Sequence, residues 1–192
     1  NLLEGYVTDT LTNAGQGRNY GLEMTLEKVL ESDWYYLLTA SLYQSEFRMV
    51  EDDPWQDTRF NGNYLFSFSG GREWDRITKK GKNKTFGVNL RAIYQGGFLE
   101  QPIDVDASAE ANRTIYQTGA AYSERLPDYF RLDLRIVFKR NKKNYTRTFS
   151  LDIQNVLNTQ NVAFRTWDFV EDRVVTRYQL GLIPLLSYRL EF

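Results

Sequence analysis

Apolar and polar residues alternate with a period of two along most of this chain, the period of β-strands. Near its end, Leu182, Leu186, Tyr188, Leu190 and Phe192 fall on one side of an extended strand, with Ser187, Arg189 and Glu191 on the other. The same dyad recurs upstream. Residues 17–28 set Tyr20, Leu22, Met24 and Leu26 against Glu23, Thr25 and Glu27. In residues 34–47, Tyr36, Leu38, Ala40 and Leu42 oppose Tyr35, Leu37, Thr39 and Ser41, which leaves the apolar side of that strand undecided. Residues 58–70 alternate Phe60, Tyr64, Phe66 and Phe68 with Asn61, Asn63, Ser67 and Ser69. Residues 85–96 place Phe86, Val88, Leu90, Ala92 and Tyr94 opposite Asn89, Arg91 and Gln95. Residues 129–140 do the same with Phe130, Leu132, Leu134, Ile136 and Phe138 against Arg131, Asp133 and Arg135. A sixth strand from Tyr145 sets Phe149, Leu151 and Ile153 against Ser150, Asp152 and Gln154, and a seventh runs from about Val174 to Phe192.

The connections alternate too. Glu31-Ser-Asp33 reads as a short turn, Gly70-Gly71 opens a basic connection through Lys79, Lys80, Lys82 and Lys84, and Asn141-Lys-Lys-Asn144 is a tight basic turn. Between them lie an acidic loop, residues 48–57, where Pro54 blocks ladder pairing, and the longest irregular stretch, residues 97–128. One rim therefore gathers 48–57, 97–128 and the region of 167–173, and the other gathers the turns near Glu31, Lys80 and Lys142. Trp34, Trp74 and Trp167 fall near expected strand ends, where an aromatic girdle would sit.

Composition sharpens this picture. The 192 residues are 42% hydrophobic and 15% aromatic, yet mean hydropathy is only −0.53, because alternation cancels any window average. No apolar run approaches the ~20 residues of a membrane helix. The pattern predicts an all-β chain forming part of a transmembrane antiparallel β-barrel, greasy outward and polar inward. Such barrels need about eight strands or more, since open edges in hydrocarbon cost several kcal/mol per unpaired group. The expectation is an arc of about seven strands from a larger barrel, with residues 1–16 ending a preceding strand or outer loop. A start at Asn1 without initiator Met or signal peptide reads as a piece of a longer, exported protein. Net charge is −1, from 24 basic and 25 acidic residues, which argues against a nucleic-acid partner. The absence of Cys and His removes thiolate and imidazole chemistry.

Five segments in order then carry a family resemblance: Gly17-Arg-Asn-Tyr-Gly-Leu-Glu-Met-Thr-Leu-Glu-Lys28, Arg59-Phe-Asn-Gly-Asn63, Leu126-Pro-Asp-Tyr-Phe-Arg-Leu-Asp133, Ser150-Leu-Asp-Ile-Gln-Asn155 and Leu180-Gly-Leu-Ile-Pro-Leu-Leu-Ser-Tyr-Arg-Leu-Glu-Phe192. The chain resembles the carboxy-terminal part of TonB-dependent outer-membrane receptors, in the branch whose members often carry a carboxypeptidase-regulatory-like domain. The resemblance implies a barrel of roughly 22 strands around a plug. It also implies a periplasmic carboxy-terminus in a Gram-negative outer membrane, and import of a scarce nutrient powered through TonB with ExbB and ExbD. Further implied partners are the missing amino-terminal strands and plug, outer-membrane lipid, a surface lipoprotein, and the barrel-assembly machinery reading Leu186, Tyr188, Leu190 and Phe192. No cofactor is implied. A passive porin, or a barrel enzyme with its catalytic residues elsewhere, are the alternatives; without His, no Ser-His pair is present and no carboxylate pair stands out.

Within the chain, Arg131, Asp133, Arg135 and Asp152 are expected to face the lumen, with Gln154, Arg189 and Glu191 nearby. They would guide a substrate or grip the plug, but a structural ladder of cross-strand ion pairs is the better reading. Asp104, Asp106 and Glu110 offer oxygen ligands in the long loop without the spacing or central Gly of a known calcium loop, so a solvated acidic loop is preferred. Tyr116 and Tyr122 offer ring faces to a sugar or siderophore. The substrate class stays open among metal chelates, glycans and peptides. On the strand facings, Arg is expected to be costly at Leu134 and mild at Asp133.

Overall fold

The computed structural model describes residues 14–31, 33–77, 83–120 and 122–192. In chain order its elements are β1 (Gln16–Glu31), β2 (Trp34–Arg48), β3 (Gln56–Asp57), β4 (Tyr64–Ile77), β5 (Asn83–Gln95), β6 (Leu99–Glu100), α1 (Val105–Ala111), β7 (Glu124–Arg125), β8 (Tyr129–Asn141), β9 (Thr146–Gln154), β10 (Val162–Asp168), β11 (Arg173–Tyr178) and β12 (Ile183–Glu191). The described residues are all-β with one short helix. Strands β1, β2, β4, β5, β8, β9 and β12 pair in that order as an antiparallel meander, and β3 adds to β2. Pairs β10–β11 and β6–β7 stand apart as two small sheets. The meander has a loop end, where residues 49–63, 96–128 and 155–182 connect its strands, and a turn end on the opposite side.

Register gathers most apolar residues of the seven long strands on one side, while Leu37, Leu65, Ile93, Val137 and Leu185 fall on the other. Leu26, Leu38, Phe68, Ala92 and Leu132 occupy one row across five strands, and Met24, Ala40, Phe66, Tyr94 and Phe130 the next. Farther along, Val88, Ile136, Leu151 and Leu186 line up across the last four. The undecided strand is thereby settled: Tyr36, Leu38, Ala40 and Leu42 belong to the apolar side. Because side chains alternate strictly, Ser69, Arg91 and Asp133 share a row on the other side.

Among the described residues no second layer covers this apolar side. The buried apolar ones among the described residues are Leu99, Trp167 and Val175, all in the small sheets. Phe66 and Leu190 remain 41% and 40% exposed, and Leu22 reaches 73%. Leaving a Leu or Phe side chain in water forfeits roughly 1.5–3 kcal/mol each relative to burial, so a face this large calls for an apolar environment.

Four expected boundaries move. The strand expected at 58–70 begins at Tyr64 and continues to Ile77. Asn63 in the left-handed region (φ 68°) and the Asn61 N–H bond to the Thr58 carbonyl make 58–63 a loop. Gly70-Gly71 pairs on through the ladder instead of ending it. Gly71 is required there: the Tyr35 hydroxyl donates across it to Asn89 Oδ1 at 2.6 Å, and a Cβ would sit 2.2 Å from that oxygen. The strand expected from Val174 to Phe192 is two elements, β11 and β12, broken at 179–182. At the break the Leu182 N–H donates to Asn158 Oδ1 at 3.0 Å, and Gly181 passes that amide where a Cβ would clash. Residues 97–128 are ordered by β6, α1, β7 and an Ile103–Tyr116 bridge, so the irregular loop expected there is a folded crown. Expectations on residues 1–13 and on Ser32, Lys79, Lys80 and Lys82 lie outside the described residues.

Candidate functional site

The polar side carries the charged residues singled out by the alternation. Arg131 Nε donates to Asp133 Oδ1 at 2.6 Å, and the same oxygen accepts the Asn155 backbone N–H at 2.9 Å. Arg135 meets Asp152 across the β8–β9 pair at 3.3 Å, and Arg189 lies 3.7 Å from Glu191 along β12. The ladder is thus mixed: one of these three pairs crosses strands, and two run along a strand between residues on the same side. Ser150 and Ser187 hydroxyls join at 2.9 Å over the β9–β12 seam. Arg131, Gln154, Asn155 and Gln179 line a cleft of about 320 Å³ where β8, β9 and β12 reach the loops. A guanidinium and side-chain amides at such a mouth suit an oxygen-rich polar ligand.

Above this cleft the crown is built by amides that the alternation does not reveal. Asn61 is fully buried; its Oδ1 accepts the Ser45 N–H at 3.0 Å, and its Nδ2 donates to Asp57 at 2.8 Å. Arg125 donates to the Asn61 and Gly97 carbonyls and to Asn63 Oδ1, at 3.0, 2.7 and 2.7 Å. Asn161 acts as a substitute strand residue: it accepts from the Phe130 N–H at 3.0 Å and donates to the Phe130 carbonyl at 2.8 Å. Asp128 accepts from the Tyr64 and Tyr94 hydroxyls at 2.6 and 2.8 Å and from the Gly97 N–H at 3.1 Å. The two phenol hydrogen bonds, helped by the Gly97 N–H and Arg125 charge, hold its carboxyl below the usual carboxylate range despite some desolvation. Arg165 pairs with both Glu100 and Glu124, tying the β10–β11 hairpin to the β6–β7 pair.

The loop candidates separate. Asp104 caps α1, accepting the Ala107 N–H at 3.0 Å, and Asp106 is exposed in the first helical turn. Among the described residues no group of three acidic or metal-ligating side chains could hold an ion. Tyr116 keeps its ring about half exposed beside the Ile103 bridge, and Tyr122 packs edge-on against Phe47 at 6.4 Å. Neither tyrosine lines the cleft that contains Arg131.

Aromatic side chains gather at both ends of the apolar side. Tyr64, Phe66, Tyr94 and Phe130 interact in sequence at the loop end, with ring centroids 5.6 to 6.5 Å apart. At the turn end Trp74 stacks on Phe86 at 5.4 Å, Phe86 lies 4.9 Å from Phe138, and Lys28 sits over Trp34. Trp34 and Trp74 occupy the expected strand-end positions on this side. Trp167 does not: it is 7% exposed in the β10–β11 hairpin, its backbone N–H bonded to Thr114 Oγ1, and that hairpin contacts α1. Leu186, Tyr188 and Leu190 project from the apolar side of β12, and Phe192 is 96% exposed beyond its end.

Comparison with protein-family models, with curated proteins and with solved structures finds no match for this chain.

Proposed function

We propose that this chain is part of a TonB-dependent outer-membrane transporter, the carboxy-terminal arc of a barrel of roughly 22 strands, importing a scarce nutrient such as a metal chelate, glycan or peptide. The observation that carries the membrane step is the predominantly apolar side shared by seven strands with no layer over it among the described residues. Its height fits. Phe86 and Tyr94 are eight residues apart on β5, about 27 Å of strand, and Trp74 and Tyr64 are ten apart on β4, about 34 Å. At a tilt of about 40° these span about 21–26 Å, against about 25 Å for the apolar band of such barrels. Strands β1 and β12 each pair on one side only among the described residues, and hydrocarbon would penalise both free edges. Further strands, supplied by the rest of the protein, close the cylinder.

In this reading the loop end faces outside and the turn end the periplasm. The plug and TonB segment belong to the rest of the protein, ExbB and ExbD supply the energy through TonB, and a surface lipoprotein sits over the crown. Leu186, Tyr188, Leu190 and Phe192 present the assembly signal, and Arg131 with Gln154 lines the mouth where substrate passes. A strain deleted for the gene should lose growth on one limiting nutrient, and deletion of tonB should give the same loss. Uptake that persists without TonB would replace the transporter with a passive porin.

A further inference from the structure

One row of cations is left over by every role described so far. Arg76, Lys84, Arg140 and Arg147 lie directly opposite one another across β4, β5, β8 and β9, at the turn end of the apolar side. Neighbouring strands are about 4.8 Å apart, so these are four like charges side by side, an arrangement that destabilises a sheet unless an anion joins it. Among the described residues none of the four has a carboxylate within ion-pair distance. The nearest acid along β4, Asp75, points to the polar side, where the Thr85 hydroxyl donates to it at 2.5 Å. Arg140 Nε is buried without a hydrogen-bond acceptor, a donor with nothing to bind.

Beside the row is a cleft of about 450 Å³ on the same side, walled by Phe86, Phe138, Phe149 and Tyr188 and rimmed by the four cations. The positive potential reaches the adjoining turn. Tyr145 has its phenol held below the usual range, first by the Lys142 hydrogen bond and then by the Arg147, Lys142 and Arg140 charges, against some desolvation. Cations above an aromatic cleft at the boundary of an apolar band match an amphiphile whose anionic head sits one step beyond its tail.

We propose that this row and cleft bind an anionic phospholipid, the phosphate on Arg140 and Arg147 flanked by Arg76 and Lys84, and an acyl chain against Phe138 and Phe149. The site rests on the membrane reading above and adds to it a headgroup preference in the leaflet facing the turn end.

The test is native mass spectrometry of the full-length protein in detergent, titrated with phosphatidylglycerol or with phosphatidylcholine. Phosphatidylglycerol should be retained preferentially, and Arg140→Gln with Arg147→Gln should lower its retention about tenfold. Lys143→Gln with Arg113→Gln removes the same charge from the turn and the loop end, away from the cleft, and should leave retention unchanged. Inorganic phosphate added at the lipid's concentration should displace none of it. Equal retention of both lipids, indifference to the Arg140 and Arg147 changes, an equal loss in the control variant, or displacement by phosphate overturns the lipid site and leaves the membrane reading standing. A wild-type protein that stays soluble without detergent and retains neither lipid overturns both.

Discussion

The seven-strand sheet and the crown at its loop end are held by different physics. In the sheet a residue's surroundings follow from whether its place in the strand is odd or even, because each register pair hands the same side to the next strand. In the crown, single amides tie distant segments together, Asn61 to the Ser45 backbone and Asp57 and Asn161 to both backbone groups of Phe130, so position along the chain says little about surroundings. The sheet is redundant and the crown is not. Losing one apolar side chain from the sheet leaves its neighbours in the same row, whereas losing Asn161 strands both polar groups of Phe130.

The largest break should come from reversing the sheet's rule. Leu134→Arg puts a charge in the middle of the apolar side and should lower the unfolding free energy of the full-length protein in lipid vesicles by about 2–4 kcal/mol. Ser67→Arg, on the polar side, should cost far less; equal costs would remove the facing. Asp133→Arg no longer serves as that mild control, because it breaks the contacts with Arg131 and Asn155 and sets a cation opposite Arg91. In the crown, Asn161→Leu keeps the volume but leaves the Phe130 N–H and carbonyl unpaired, at about 1–3 kcal/mol in the same assay. Gly71→Ala should be comparable, about 1–3 kcal/mol, since its Cβ must displace Asn89 Oδ1.

A smaller effect is set by pH. The folded carboxyl of Asp128 titrates below its unfolded value, so its contribution is complete above the unfolded pKa and is lost as pH falls through the folded one. Acid unfolding curves of wild type and Asp128→Asn should therefore converge below the folded value, separate as pH rises from it to the unfolded value and stay apart above; a constant spacing throughout would show that Tyr64 and Tyr94 stabilise nothing through its charge. Least of all, a double-mutant cycle on Arg135 and Asp152 should give about 0.2–1 kcal/mol, since Arg135 is 52% exposed in its side chain.

The strands of the sheet were legible because gathering apolar side chains on one side of a strand imposes a period of two. Tyr20 to Leu26, Phe86 to Tyr94 and Phe130 to Phe138 all sit where alternation puts them. The charged candidates Arg131, Asp133, Arg135 and Asp152 share the polar side for the same reason. Alternation fails where no side is buried by periodicity. Residues 58–63 carry Phe60 in phase with the strand that follows, yet a left-handed Asn63 and the buried Asn61 turn them into a loop. Trp167 looked like a strand-end aromatic and is instead enclosed by a hairpin that packs on α1, a contact between segments some fifty residues apart.

The sequence by itself therefore determined which side chains stand together on each strand, since that depends on chain geometry alone. Tertiary structure decided the rest: which side of β2 is apolar, which asparagines stand in for backbone, and that Arg76, Lys84, Arg140 and Arg147 form one row. Those outcomes depend on register between strands, and register is a property of pairs that no single strand encodes.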